Sequence, residues 1–176
     1  MQGGIEDRSR YNAGMTKPST FVALLISALL IAPAFAKTIT DEKSGVLIDL
    51  PEGDGWKIEV AKLTTTAVND EGVSLVIMRF ERQLPDVIIK RLADSFERLM
   101  KDAKAGDDVE KITVHGMQAD KVSGYGSKDG KAVKFTAVLI CKDNTSTLAI
   151  IAVGAETPFK RHLRDIDGTL DSIRPK

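Results

Sequence analysis

Apolar and polar positions alternate along most of the chain, and in two stretches they recur instead at helical spacing. Val46–Leu50 is a short β-type run, closed by Pro51 and the turn-forming cluster Gly53-Asp54-Gly55. Trp56–Val60 alternates, with Trp56, Ile58 and Val60 on one side and Lys57 and Glu59 on the other. The Thr-rich Leu63–Val68 reads as a further strand, and Asn69-Asp70-Glu71-Gly72 as a hairpin turn. Val73–Phe80 is apolar on both faces, the pattern of an interior strand covered on both sides.

The spacing of Val87 or Ile88, Leu92, Phe96, Leu99 and Ala103 predicts a helix over Asp86–Lys104, with Pro85 at its start and Lys101 and Lys104 near its C-terminal end. Ala105-Gly106-Asp107-Asp108 is expected to close it. A meander follows. Lys111–His115 and Met117–Tyr125 are strands on either side of Gly116, and Ser127-Lys128-Asp129-Gly130 is a hairpin turn. Lys131–Cys141 is a long strand with Val133, Phe135, Ala137 and Leu139 on one face. Lys142-Asp143-Asn144-Thr145 turns the chain into Ser146–Val153. Phe159, Leu163, Ile166, Leu170 and Ile173 mark a second amphipathic helix, weakened at Gly168 by roughly 1 kcal/mol relative to Ala. Tight turns between neighbouring strands make the sheet mostly antiparallel. The expected fold class is α+β, a sandwich in which about six to seven strands are flanked by two main helices.

Phe21–Ala36 departs from all of this. It has no charge, follows Lys17, contains Pro33 and ends in Ala34-Phe35-Ala36. That is the layout of a secretory signal with an A-x-A cleavage site, and it is shorter than the about 20 apolar residues a spanning helix needs. Residues 1–36 are therefore expected to be leader and signal peptide. Lys37–Lys176 is then the single globular domain, periplasmic or secreted and with no remaining membrane span. Glu6 and Asp7 are out of place in a basic leader, so Met15 is the better start and Met15–Ala36 the functional signal. No Cys lies near the cleavage site to take a lipid.

The chain has 25 basic and 25 acidic residues. Removing the leader leaves it close to neutral, with the two signs interspersed. No basic stripe argues for nucleic acid. Cys141, the only cysteine, has no internal partner and ends an apolar run, so it reads as a buried, inert thiol.

Candidate chemistry is sparse. His115 sits at a turn beside Gly116, and His162 adjoins Lys160, Arg161 and Arg164. Neither has metal-type spacing to another ligand. His162 is an ordinary boundary histidine or part of an anion or headgroup contact. Asp165-Ile166-Asp167-Gly168 imitates part of a calcium loop but lies in an expected helix without the downstream Glu. Asp107-Asp108-Glu110 is a second acidic group. Val122-Ser123-Gly124-Tyr125-Gly126 is a Gly-Ser cluster in a strand, not a strand-to-helix nucleophile elbow. Trp56, the only tryptophan, packs as a core plug or lines a binding cleft. No catalytic residue, cofactor or metal is assigned. Trp56 and His162 are the candidate ligand or partner surface.

Three stretches resemble the PsbP-like family, the lumenal photosystem II subunits and relatives that include bacterial periplasmic proteins of the DcrB type. Gly45–Trp56 (GVLIDLPEGDGW) is similar to that family's opening strand followed by Pro, Gly and Trp, with Gly53-Asp54 inserted. His115-Gly116 before a meander is the second mark. Leu170-Asp171-Ser172-Ile173-Arg174-Pro175 is similar to the motif that closes its last helix. The resemblance implies an antiparallel sheet flanked by helices and a non-enzymatic accessory role, here binding an envelope protein. It carries no site residue over, and photosystem binding is not implied. The competing expectations are a small-ligand or metal-binding module using the Trp56 loop, and a weak hydrolase built on His115 or His162.

Overall fold

A computed structural model of the chain describes residues 36–53, 55–141 and 146–176, with backbone alone over 105–108. The expected leader and signal run up to Phe35, Asp54 and the expected turn Lys142–Thr145 lie outside the described residues, as do the side chains of Asp107 and Asp108.

The strands are β1 (Ala36–Asp41), β2 (Val46–Pro51), β3 (Lys57–Val60), β4 (Thr64–Val68) and β5 (Ser74–Glu81). Helix α1 (Pro85–Leu99) follows, then β6 (Lys101–Val114), β7 (Met117–Lys128), β8 (Lys131–Ile140) and β9 (Ser146–Ala155). Helices α2 (Glu156–Arg161) and α3 (Leu163–Asp171) and the short β10 (Arg174–Pro175) end the chain. The main sheet has seven strands in the order β3-β4-β5-β9-β8-β7-β6, every neighbour antiparallel. The expected α+β sandwich with a mostly antiparallel sheet is the observed one. A second, three-stranded sheet, β1-β2-β10, was not expected.

Both faces of the main sheet are covered. On one, α1 buries Ile88, Ile89 and Phe96 against Val122, Val133, Phe135, Ala137 and Leu139, with the Phe96 and Phe135 rings 4.4 Å apart. On the other, Val46, Ile48 and Leu50 of β2 join Phe159, Ile166, Leu170 and Ile173 over Leu75, Ile77, Ile140 and Ile150. β5 lies between β4 and β9 and feeds both clusters, Leu75 and Ile77 into one and Met78 and Phe80 into the other. Arg79 of β5 pairs with Asp41 of β1, tying the small sheet to the large one where both side chains are largely buried. Among the described residues no helix is long and apolar enough to cross a membrane.

The expected helix Asp86–Lys104 is too long. It ends at Leu99, Met100 is extended at φ −129 and ψ 149, and Lys101 opens β6. The cause is tertiary. A Cβ at Gly126 would lie 3.1 Å from Met100 Cβ and 3.2 Å from Ala103 Cα, and one at Gly124 would lie 2.6 Å from the Lys104 carbonyl oxygen. The two glycines let 100–104 lie flat on β7, and pairing with that strand outweighs the helical preference of Lys101-Asp102-Ala103-Lys104. Met100 and Ala103 reach the core from the extended chain, while Leu99 is 67% exposed.

The expected C-terminal helix is also two helices, broken at His162, whose backbone sits at φ −94 and ψ 15. A continuous helix would carry Leu163 in the apolar stripe. The break rotates it out to 44% exposure and brings Thr169 in. In β3, Val60 leaves the expected buried face, because β3 is the sheet's edge strand and its end has nothing over it.

Candidate functional site

Trp56 and His162 are far apart in sequence and meet in the fold. Trp56 follows a tight turn in which its N–H donates to the Gly53 carbonyl at 2.9 Å. Gly55 in that turn has φ +82, and a Cβ there would come within 2.9 Å of Asp70 Oδ2, so both conformation and space require glycine. The indole is buried in the helix-covered core, and its Nε1–H emerges to donate to Asp165 Oδ2 of α3 at 3.2 Å. Trp56 thus packs as a core residue with a polar handle.

His162 is the joint between α2 and α3. Its N–H donates to the Pro158 carbonyl, and its own carbonyl accepts from Asp165 and Ile166. The imidazole stands edge-on to the indole, with centroids 5.7 Å apart and planes at 85°. Nδ1 is 3.1 Å from Asp165 Oδ2, and Nε2 is 3.8 Å from Glu71 Oε2. Glu71 also pairs with Arg161. Glu71 is set in place by its own turn, where Asn69 Oδ1 accepts the N–H groups of Glu71 (3.1 Å) and Val73 (2.8 Å). The result is an imidazole between two carboxylates and against an indole, with Arg161 on the exposed rim.

This arrangement has a definite chemistry. Among the described residues the groups nearest the ring nitrogens of His162 are carboxylates, Asp165 at hydrogen-bond distance from Nδ1 and Glu71 beyond it from Nε2. His115, with Gly116, makes the two-residue turn between β6 and β7, both at positive φ. Its Nε2 is 2.9 Å from the Asp171 carbonyl oxygen, which ties that hairpin to the end of α3. Ser123 of the Gly-Ser cluster donates across strands to Thr136 Oγ1 at 3.0 Å. Asp165, read from sequence as part of a calcium-like fragment, serves Trp56 and His162 instead. Cys141 is half-buried just past β8.

The α2 helix carries a second charged group beside this cluster. Glu156 takes Lys134 of β8 at 3.1 Å and Lys160 at 2.9 Å. Their hydrogen bonds, Lys160 first, hold its carboxyl below the ordinary value.

Glu71 and Arg161 were not singled out from sequence. The Asx turn at Asn69 was the only local signal for Glu71, and nothing local places Arg161 against it. The same holds for Asp49, which Arg174 grips with both guanidinium nitrogens at 2.8 and 3.2 Å while Thr38 donates to it at 2.7 Å. Ser172 Oγ accepts the Asp49 N–H at 2.8 Å and donates to the Thr169 carbonyl. The closing stretch Leu170–Pro175 therefore works as a clasp between α3 and the small sheet.

No protein-family model and no curated protein matches the sequence. Solved structures do match its fold. Cyanobacterial PsbP (CyanoP) of Synechocystis sp. PCC 6803 superposes with a TM-score of 0.59 at 13% identity, covering 80% of this chain and 92% of that one. LpqN of Mycobacterium tuberculosis, described as involved in cell envelope biogenesis, gives 0.55 at 15% identity over 80% and 90%. The Ran-binding protein Mog1p of Saccharomyces cerevisiae gives 0.51 at 12% identity over 79% and 94%. At such identities the likeness concerns architecture alone. The chain has the PsbP-like fold.

Proposed function

We propose that this protein is an exported accessory protein, periplasmic or secreted, that binds another envelope protein and carries out no covalent chemistry. The observation that carries the reading is the placement of His162, whose Nδ1 meets Asp165 in a cluster that also holds the indole N–H, with Glu71 3.8 Å from Nε2. His115 and Ser123, the other groups a hydrolase would recruit, are held by a main-chain carbonyl and a threonine hydroxyl. The fold supports it too, since structures of this architecture include one described by cell-envelope biogenesis and one by binding Ran.

The partner surface is the rim of the Trp56–His162 cluster, where Glu71, Arg161 and Asp165 reach solvent. Trp56 is only 8% exposed. It offers a ligand little ring face, which favours a protein partner over a small ligand. The test is affinity capture of the protein from chemically crosslinked envelopes, read by mass spectrometry against a mock bait. A reproducible envelope partner is the expected result, and clean capture without one contradicts the reading.

A further inference from the structure

The main sheet has a polar, open area where its register gathers lysines that the sequence scatters. Tyr125 of β7 lies directly opposite Lys104 of β6 and Lys134 of β8, so the three side chains form one cross-strand row. Gly124, on the other side of β7, faces Phe135 beneath α1. The row therefore points away from α1, on the side where α2 and α3 pack. Neither helix covers it. Tyr125 is 53% exposed and Lys104 is exposed. Lys134 marks the border of the area, where it meets Glu156 at the start of α2. Lys121 stands on the same face four residues from Tyr125, opposite Glu110 of β6, and Lys128 and Lys131 flank the turn at the end of the hairpin. Lys104, Lys121, Lys128 and Lys131 make no ion pair among the described residues, whereas Lys134 is partly neutralised.

We propose that this sheet face docks an acidic, extended segment of a partner protein. The inference rests on the accessory reading above and names the chemistry of the partner. Lys104 and Lys134 are two strands apart, about 10 Å, and Lys121 lies about 13 Å along the strand from Tyr125. Carboxylates at alternate positions of an extended segment repeat about every 7 Å, so such a segment can meet several of these ammonium groups. The tyrosine among them supplies rigid amphipathic contact area of the kind found at interface centres. A lipid surface fits less well, because large exposed apolar residues that could insert lie elsewhere, as Val60 at the end of β3, Leu63 after it, Leu84 just before α1, and Val87 and Leu99 on α1. The cations are all lysines, without the arginine forks that recognise phosphate in two-pronged fashion.

The test uses protein purified from cells expressing the full-length gene. Its probe is a fluorescent dodecamer of alternating glutamate and serine, followed by anisotropy at low salt. Binding that weakens with salt, and falls roughly tenfold in Lys104→Glu/Lys121→Glu, is the expected result. Lys104→Gln/Lys121→Gln serves if the reversal variant melts early, with a smaller loss in the same direction. Tyr125→Ala should also weaken binding. No peptide binding, or equal binding by wild type and both double variants, overturns this surface. Tighter binding to phosphatidylglycerol vesicles or to an oligothymidine than to the peptide overturns the acidic-protein partner. The accessory reading fails separately, through envelope capture that returns no partner. A partner captured equally by wild type and the lysine variants leaves that reading standing and removes this one.

Discussion

Arg174, three residues past the end of α3, closes a two-pronged hydrogen bond onto Asp49 in the middle of β2, 125 residues earlier in the chain. The pair fastens the C-terminus to the small sheet, with Thr38 of β1 completing the site. Asp49 is held below the ordinary carboxylate value chiefly by Arg174, with Thr38 assisting against partial burial. The folded protein therefore gives up this proton more readily than the unfolded chain. The stabilisation is complete above the unfolded value, about 3.9, and is lost as pH falls through the lower folded value. Both side chains are partly solvated, so Asp49→Asn should cost only about 1 kcal/mol at neutral pH. Urea melts of variant and wild type should converge in strong acid. A gap that persists there contradicts the account.

Two glycines should respond in opposite directions to the same substitution. A methyl at Gly124 would fall 2.3 Å from the Phe135 ring and 2.6 Å from the Lys104 carbonyl. Gly124→Ala should therefore cost roughly 1–3 kcal/mol or more through overpacking. At Gly168 in α3 a methyl would meet no atom within 4 Å, and the backbone there is not at positive φ. Gly168→Ala should therefore gain roughly 0.5–1 kcal/mol. Thermal melts of the two variants read this directly. Equal shifts would mean that β6 does not lie against β7 as described.

Trp56 has an apolar body and one hydrogen bond, and the two can be separated. Trp56→Phe keeps most of the packing and loses the donor to Asp165, at a cost of about 1 kcal/mol. Trp56→Ala should cost about 3–5 kcal/mol. In a double-mutant cycle with Asp165→Ala, which removes the acceptor, the two changes should fall short of additivity. Strict additivity in urea unfolding would show that the bond contributes nothing.

How much of this was legible follows from which forces were local. The strand alternation of Lys131–Cys141, the two-faced pattern of Val73–Phe80 and the Asp129-Gly130 turn are properties of neighbouring residues, and each appears where expected. The end of α1 was not legible. Lys101–Lys104 reads as helix by itself, and only its fit against Gly124 and Gly126, some twenty residues later, makes it a strand. The break at His162 is similar, since the groups facing the ring include Trp56 and Glu71 from distant turns. β1 and β10 are short and polar, and they become strands by pairing with β2. Of the candidate site, Trp56 and His162 could be named from sequence, but not that they touch.

The proposed export makes a prediction of its own. Protein recovered from the envelope or medium should begin at Lys37 on N-terminal sequencing. A mature protein beginning at Met1 or Met15 would contradict cleavage after Ala36.

The central claim is a binding role at the Trp56–His162 cluster, and site-specific photocrosslinking in living cells tests it most directly. A benzophenone amino acid would replace Arg164, exposed on α3 beside Asp165, or Glu97, exposed on α1 over the opposite face of the sheet. An adduct with an envelope protein from position 164 and none from 97 is the predicted result. No adduct from 164, or the same adduct from both positions, would contradict it.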